Sequence, residues 1–131
     1  MGTRSLTYIY DDNEPLVCMY RQFDGYPSGH GAELAEFLSS GKMVNGLSGD
    51  NTKVFNGMCC LAAQMVAHFK KGPGGIYLMP PTPGADHDQE YEYHVRLHSA
   101  PRNELRVEVR DAAHILFEGS LALFEAFCAK G

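Results

Sequence analysis

The sequence predicts an α+β fold: an antiparallel or mixed sheet of five to six strands, with two to three helices packed largely on one face. Three observations predict it. Strand-like segments open the chain and return in its second half, separated by two helix-like segments and followed by a third. Repeated strand–helix–strand alternation, the mark of a doubly wound sheet, is absent. The 131 residues, 44% of them apolar, suit one domain spanning 1–131 that buries a core without a disulfide or structural metal.

The elements follow in order. Residues 4–10 (RSLTYIY) are rich in aromatic and β-branched types and read as a strand. Asp11, Asp12, Asn13 and Glu14 form a turn, and residues 16–22 (LVCMYRQ) return as a second, central strand, making an antiparallel hairpin. Residues 23–31 (FDGYPSGHG) are a Gly- and Pro-rich loop. Leu34, Phe37 and Leu38 then mark one buried helix face. Residues 39–50 read as a long connection. A second helix is expected over about 57–71, with Asn56 as N-cap, or Asp50 or Thr52 for an earlier start, and Met58, Leu61, Met65 and Phe69 as its stripe. Gly72-Pro73 ends it. A short strand is expected at 75–79, a polar loop at 80–89, and a hairpin from 91–98 and 105–110 around the turn 101–104. In that hairpin Val107 and Val109 alternate with Glu108 and Arg110, as on a sheet with one wet face. A last short strand at 114–117 and a helix at 120–128 complete the chain.

Composition excludes several classes. A net charge of -5 lacks the basic face that non-specific nucleic-acid binding needs. No apolar run approaches the ~20 residues of a membrane span, and no signal peptide is visible, so the expected compartment is the cytoplasm. Cys18, Cys59, Cys60 and Cys128 lie in apolar segments without a C-x-x-C pair, so buried free thiols are expected rather than a metal site. Asp86, His87, Asp88, His94 and His98 are better read as a solvated run than as metal ligands. No cofactor motif is present: a P-loop and a G-x-S-x-G elbow are both missing.

The candidate site grows from the first hairpin. With Asp12-Asn13 as the turn, paired residues sum to 25, and Arg4 falls opposite Arg21. Like charges directly opposite repel, so water, a carboxylate such as Asp24, or an anionic ligand is expected between them. Arg21 and Gln22 lead straight into Asp24-Gly25-Tyr26-Pro27-Ser28-Gly29-His30-Gly31 and a helix start. Helix N-termini attract anions, and Tyr26 offers a ring for stacking. The expected ligand-binding set is therefore Arg4, Ser5, Arg21, Gln22, Asp24, Tyr26, Gly29, His30 and Gly31, with the amides of Gly29 to Gly31 completing the anion site. The plainer reading of the same residues is turn chemistry, a rigid Tyr26-Pro27 corner and an Arg21–Asp24 pair.

These residues also carry a resemblance. Gly2-Thr3-Arg4-Ser5-Leu6 and the stretch from Tyr20 through Asp24-Gly25-Tyr26-Pro27 to Gly31 resemble a family of small bacterial and phage proteins that open with Met-Gly-Thr-Arg-Ser and carry an Asp-Gly-Tyr-Pro loop. The likeness is strongest over the first ~40 residues and looser through Gly75-Ile76-Tyr77 (positions counted on this sequence). It implies a shared motif linking Arg4 to the loop, not a mechanism. Its phage association implies a role in the contest between phage and host, in the host cytoplasm, such as sequestering a nucleotide-derived signal.

Three functions follow as expectations. The first is a binding module for a small anionic, nucleotide-like ligand. The second is a hydrolase at the same site, acting on a phosphodiester or N-glycosidic bond with Asp24 or His30 as acid or base. The third is a protein-interaction inhibitor working through residues 80–89. A homodimer is the expected oligomer, with residues 115–127 as core or interface.

Overall fold

The computed structural model describes residues 2–44, 54–98 and 103–130. Strands β1 (Ser5–Asp11) and β2 (Glu14–Arg21) form the expected hairpin around Asp12, at φ +54°, and Asn13. Helices α1 (Ala32–Ser39) and α2 (Gly57–Phe69) follow, then β5 (Ile76–Met79), β6 (Tyr91–His98), β7 (Glu104–Arg110), β8 (Ile115–Ser120) and α3 (Leu121–Lys130). Two three-residue strands, β3 (Lys42–Val44) and β4 (Val54–Asn56), pair in parallel as a separate small sheet. Sequence periodicity did not reveal them, because three residues are too few to show an alternation. Asn45 to Gly49, within the predicted connection, lies outside the described residues.

The main sheet is mixed and six-stranded, in the order β5-β2-β1-β6-β7-β8. Its neighbours are antiparallel except β1 and β6, which run parallel side by side at the centre. Antiparallel strands can be joined by a tight turn, whereas a parallel pair needs a long crossover. That crossover here is everything from the hairpin to residue 90, and it carries α1 and α2 across one face.

Alternation decides which side chains meet those helices. Ile9 and Met19, Tyr93 and Val95, and Val107 and Val109 point to the helix face. They pack with Leu34, Phe37 and Leu38 of α1, with Met58, Leu61, Met65 and Phe69 of α2, and with Phe124 and Cys128 of α3. The far face carries a smaller apolar cluster, Leu6, Tyr8, Tyr10 and Cys18, bordered by Tyr20 and Met79. Beside it stand the charged residues of β6 and β7. Residues 80–90 lie against this face: the Tyr8 hydroxyl donates to the Thr82 carbonyl, and Gln89 donates to Glu92.

The cysteines depart in part from expectation. Cys18 and Cys128 are buried free thiols, the latter raised to about 12 by burial, but Cys59 is exposed on α2 and Cys60 half-buried. Helix rotation explains it: the core stripe of α2 runs through Met58, Leu61, Met65 and Phe69, and Cys59 falls on the other side of the helix. No helix among the described residues is long and apolar enough to cross a membrane.

Candidate functional site

The hairpin register is the first determinant of the site. Near the turn the pairs sum to 25 as predicted: Asp11 faces Glu14 and Tyr10 faces Pro15. The register then shifts, so that Ile9 faces Val17 and Ser5 faces Arg21. Leu16 is the extra residue, next to Pro15. Proline has no N–H to give to a ladder, and in sheets it is found at edges and bulges. One inserted residue moves every later side chain of β2 by one position relative to β1.

The predicted convergence of Arg4 and Arg21 is therefore corrected. Arg21 lies opposite Ser5, on the helix face, and Arg4 belongs to the far face. There the Arg4 guanidinium meets Glu90 at 3.1 Å, and its backbone N–H donates to the same carboxylate at 2.5 Å. The ion pair with Glu90 raises the Arg4 pKa. No ligand is needed to relieve a repulsion that the fold never creates.

Arg21 is held from three sides. Its Nε donates to the Phe23 carbonyl at 2.6 Å, and its Nη1 donates to His30 Nδ1 at 3.2 Å. Its Nη1 and Nη2 donate to the two oxygens of Glu33 at 3.0 and 3.3 Å. Glu33 rather than Asp24 is its carboxylate partner. Such a two-pronged fork is the strong form of arginine–carboxylate pairing. The Arg21 side chain retains 15% of its exposure, so these bonds lie partly out of water.

His30 is completely buried behind Arg21. A guanidinium can only donate, so Nδ1 is the bare acceptor and Nε2–H donates to Thr7 Oγ1 at 2.7 Å. The ring packs against Phe69 and Tyr93. Burial, and then the Arg21 charge, lower its pKa from 6.5 to about 3. The imidazole is thus neutral at pH 7 and sealed from solvent.

The loop between Arg21 and His30 is folded onto itself. A single wide π-turn, Pro27–Gly31, runs directly into α1. Its amides are already used: Gly29 N–H donates to Tyr26 O, His30 N–H to Asp24 O, and Gly31 N–H to Tyr26 O. They do not form the predicted anion site. Gly25 and Gly31 serve close packing instead. A Cβ on Gly25 would lie 2.8 Å from that of Ser5, and one on Gly31 would lie 2.9 Å from the Cys128 sulfur. The Tyr93 hydroxyl donates to Gly25 O at 2.7 Å, tying the loop to the sheet. Ser5 is buried and its hydroxyl has no partner among the described residues. Tyr26 is partly exposed and donates to Asp24, which sits at φ +61°. Gln22 N–H donates to Gly75 O.

What Arg21 does face is a cleft of about 460 Å³. Phe23, Glu33, Phe69, Lys71, Ile76 and the stretch Gly72-Pro73-Gly74-Gly75 line it. Phe23 is 52% exposed. Gly74 and Gly75 both adopt φ +76°, a conformation that costs a residue with a Cβ and suits glycine. Among the described residues, the N–H groups of Gly72, Gly74 and Gly75 have no protein acceptor. In the sequence Lys71 stands at the expected end of the second helix and Gly75 at the expected start of a short strand. Nothing local tied them to Arg21; the β2–β5 pairing that sets Arg21 opposite Ile76 does so.

Fold and cleft together define an α+β protein with a mixed six-stranded sheet, helices on one face, and an arginine-headed cleft at one end. No protein-family model, no curated protein and no solved structure matches the chain. Among the described residues no three His, Cys, Asp or Glu side chains are grouped so as to hold a metal ion.

Proposed function

We propose that this chain is a small-ligand binding module whose cleft, headed by Arg21, takes a small anionic molecule bearing a flat ring, of the kind a nucleotide exemplifies. One observation carries the reading. Arg21 is anchored from behind by Phe23 O and His30, and it points its two terminal nitrogens at an acid, Glu33, at the cleft mouth. A ligand phosphate or carboxylate can take the same fork in place of Glu33, whose side chain is half exposed. Lys71 adds a second cation, and the glycine-stretch amides, which have no protein acceptor among the described residues, add donors. The exposed Phe23 ring supplies a stacking face. The resemblance of the Arg-Ser opening and the Asp-Gly-Tyr-Pro loop to small bacterial and phage proteins is compatible with this reading and adds no activity to it.

The hydrolase alternative has less support. His30 is sealed and both of its ring nitrogens are engaged, and Asp24 is not among the cleft residues. His30 acts on Arg21, as a positioning residue. The inhibitor alternative gains no specific observation: residues 80–84 are exposed, and the segment is tied to the sheet through Thr82 O and Gln89.

The test is thermal unfolding with a panel of mononucleotides and dinucleotides. Saturation at about 100 times Kd stabilises by about 2.7 kcal/mol, which is readily seen as a raised Tm. Arg21→Lys, which keeps the charge and loses the fork, is expected to abolish the shift, and Arg4→Ala to preserve it. A panel that never moves Tm, or a shift indifferent to Arg21→Lys, overturns the proposal.

A further inference from the structure

The pair of opposed arginines that the sequence suggested at Arg4 and Arg21 exists elsewhere. On the far face of the sheet Arg96 of β6 lies directly opposite Arg106 of β7. In the neighbouring row on the same face, Glu108 of β7 lies directly opposite Glu118 of β8. Each is a like-charge cross-strand pair, an arrangement that destabilises a sheet unless something offsets it.

The offsets within the chain are incomplete. Arg106 is paired with Glu104 at 3.3 Å, and Glu108 with Arg110 at 3.4 Å. Among the described residues neither Arg96 nor Glu118 has an opposite charge within 4 Å. Arg96 instead lies over the Tyr10 ring, its guanidinium carbon 3.8 Å from the ring centre. That contact fixes the guanidinium against the ring, where it also hydrogen-bonds the Tyr10 side chain and keeps its remaining N–H groups for another acceptor. Tyr10 is itself held in place, its hydroxyl bonded to His94 Nδ1 at 2.7 Å, with His94 Nε2 bonded to Glu92 at 2.9 Å. These bonds set the orientation of the ring under Arg96.

Both unpaired charges line one cleft of about 270 Å³, with His94, His98, Arg106 and Glu108. This cleft lies on the other side of the sheet from the Arg21 site. Its size is slightly below the roughly 300–1,000 Å³ of pockets for drug-sized ligands. One wall is basic and the other acidic, so a multiply charged anion gains at Arg96 and loses at Glu118. A molecule carrying one charge of each sign satisfies both.

We infer that this far-face cleft is a second ligand site, for a small zwitterion whose carboxylate meets Arg96 and whose ammonium meets Glu118. Arg96 and Glu118 stand on strands with one strand between them and are offset by two residues along the sheet, roughly 12 Å apart at the backbone. The ligand charges should accordingly be separated by several bonds, as in an ω-amino acid, rather than sharing one carbon.

The experiment is an NMR titration of the whole chain with 4-aminobutanoate, glycine, acetate and butylammonium as separate probes. The expected result is saturable binding of 4-aminobutanoate, at least tenfold tighter than acetate or butylammonium and tighter than glycine, with shifts confined to β6, β7 and β8. Glu118→Gln, at an exposed position, should reduce its affinity to that of acetate, and Arg96→Gln to that of butylammonium. Should Arg96→Gln unfold the chain, Glu118→Gln alone decides. No binding of 4-aminobutanoate, acetate binding as tightly, or indifference to Glu118→Gln overturns the inference. None of these results bears on the Arg21 cleft, which different resonances report.

Discussion

The two faces of the sheet treat an arginine from the same hairpin in opposite ways. On the helix face Arg21 is backed by a buried neutral histidine and a backbone carbonyl, and it presents its fork to a cleft. On the far face Arg4 pairs with Glu90 on the segment leading into β6, while its Nε is buried with no partner among the described residues. Each face also holds a buried histidine. His30 is enclosed by Thr7, Phe69, Tyr93 and Arg21. His94 is stacked on Tyr8 and bonded to Tyr10 and Glu92. The difference teaches that the surroundings, and not the charge, set how an arginine is held.

The largest effect that should separate the faces is pH dependence. The His30 pKa falls from 6.5 in the unfolded chain to about 3 in the fold. Below pH 6.5 the unfolded chain therefore takes up a proton that the fold refuses. Stability from this group is complete above pH 6.5 and is lost as pH falls toward 3, by on the order of 4 kcal/mol. Urea unfolding at pH 7 and pH 4 measures it. His30→Asn should lose markedly less stability over that interval than the parent, and equal losses would break the comparison at its base. On the far face the hydrogen bond from His94 is the main cause that lowers the Glu92 pKa. Its contribution is lost only as pH falls through that lowered carboxylate range.

A smaller effect distinguishes two tyrosines. Tyr93 is buried and its hydroxyl ties Gly25 O to the sheet at 2.7 Å. Tyr93→Phe leaves that carbonyl without its donor and should cost about 1–3 kcal/mol. Tyr8 on the far face makes a longer bond, 3.3 Å, to Thr82 O near solvent. Tyr8→Phe should cost less than about 1 kcal/mol. Denaturant midpoints of the two variants, at unchanged m-value, give the ratio directly.

The smallest effect sharpens the reading of the Arg21 fork. Glu33 occupies the same nitrogens that a bound anion would use. Glu33→Gln removes the competing charge, so a nucleotide that binds the parent should bind the variant about three- to tenfold more tightly, or ~1 kcal/mol. Weaker binding would mean that Glu33 contacts the ligand rather than competing with it.

Much of the fold was legible because side-chain periodicity is a local property. The alternation of Val107 and Val109 with Glu108 and Arg110, and the stripe of Met58, Leu61, Met65 and Phe69, each place a face toward the core without reference to any other segment. The candidate site was legible only in part. Arg21 and His30 do come together, and Asp24 does turn the chain between them. Arg4 does not join them, and Lys71 and the glycine stretch after α2 were not associated with the site. The one available signal was Pro15, whose missing N–H marks a bulge in the very strand whose register mattered.

The order and type of the main elements, the tight turn at Asp12-Asn13 and the assignment of faces within each strand were determined by the sequence, because each depends on neighbours a few residues apart. Which arginine meets which carboxylate was decided only in the tertiary structure. A bulge at Leu16 shifts one strand by a single residue, and a crossover of about seventy residues brings β6 beside β1. A shift of one position exchanges the two faces of a sheet, so the smallest error in register carries a charge to the opposite side of the molecule.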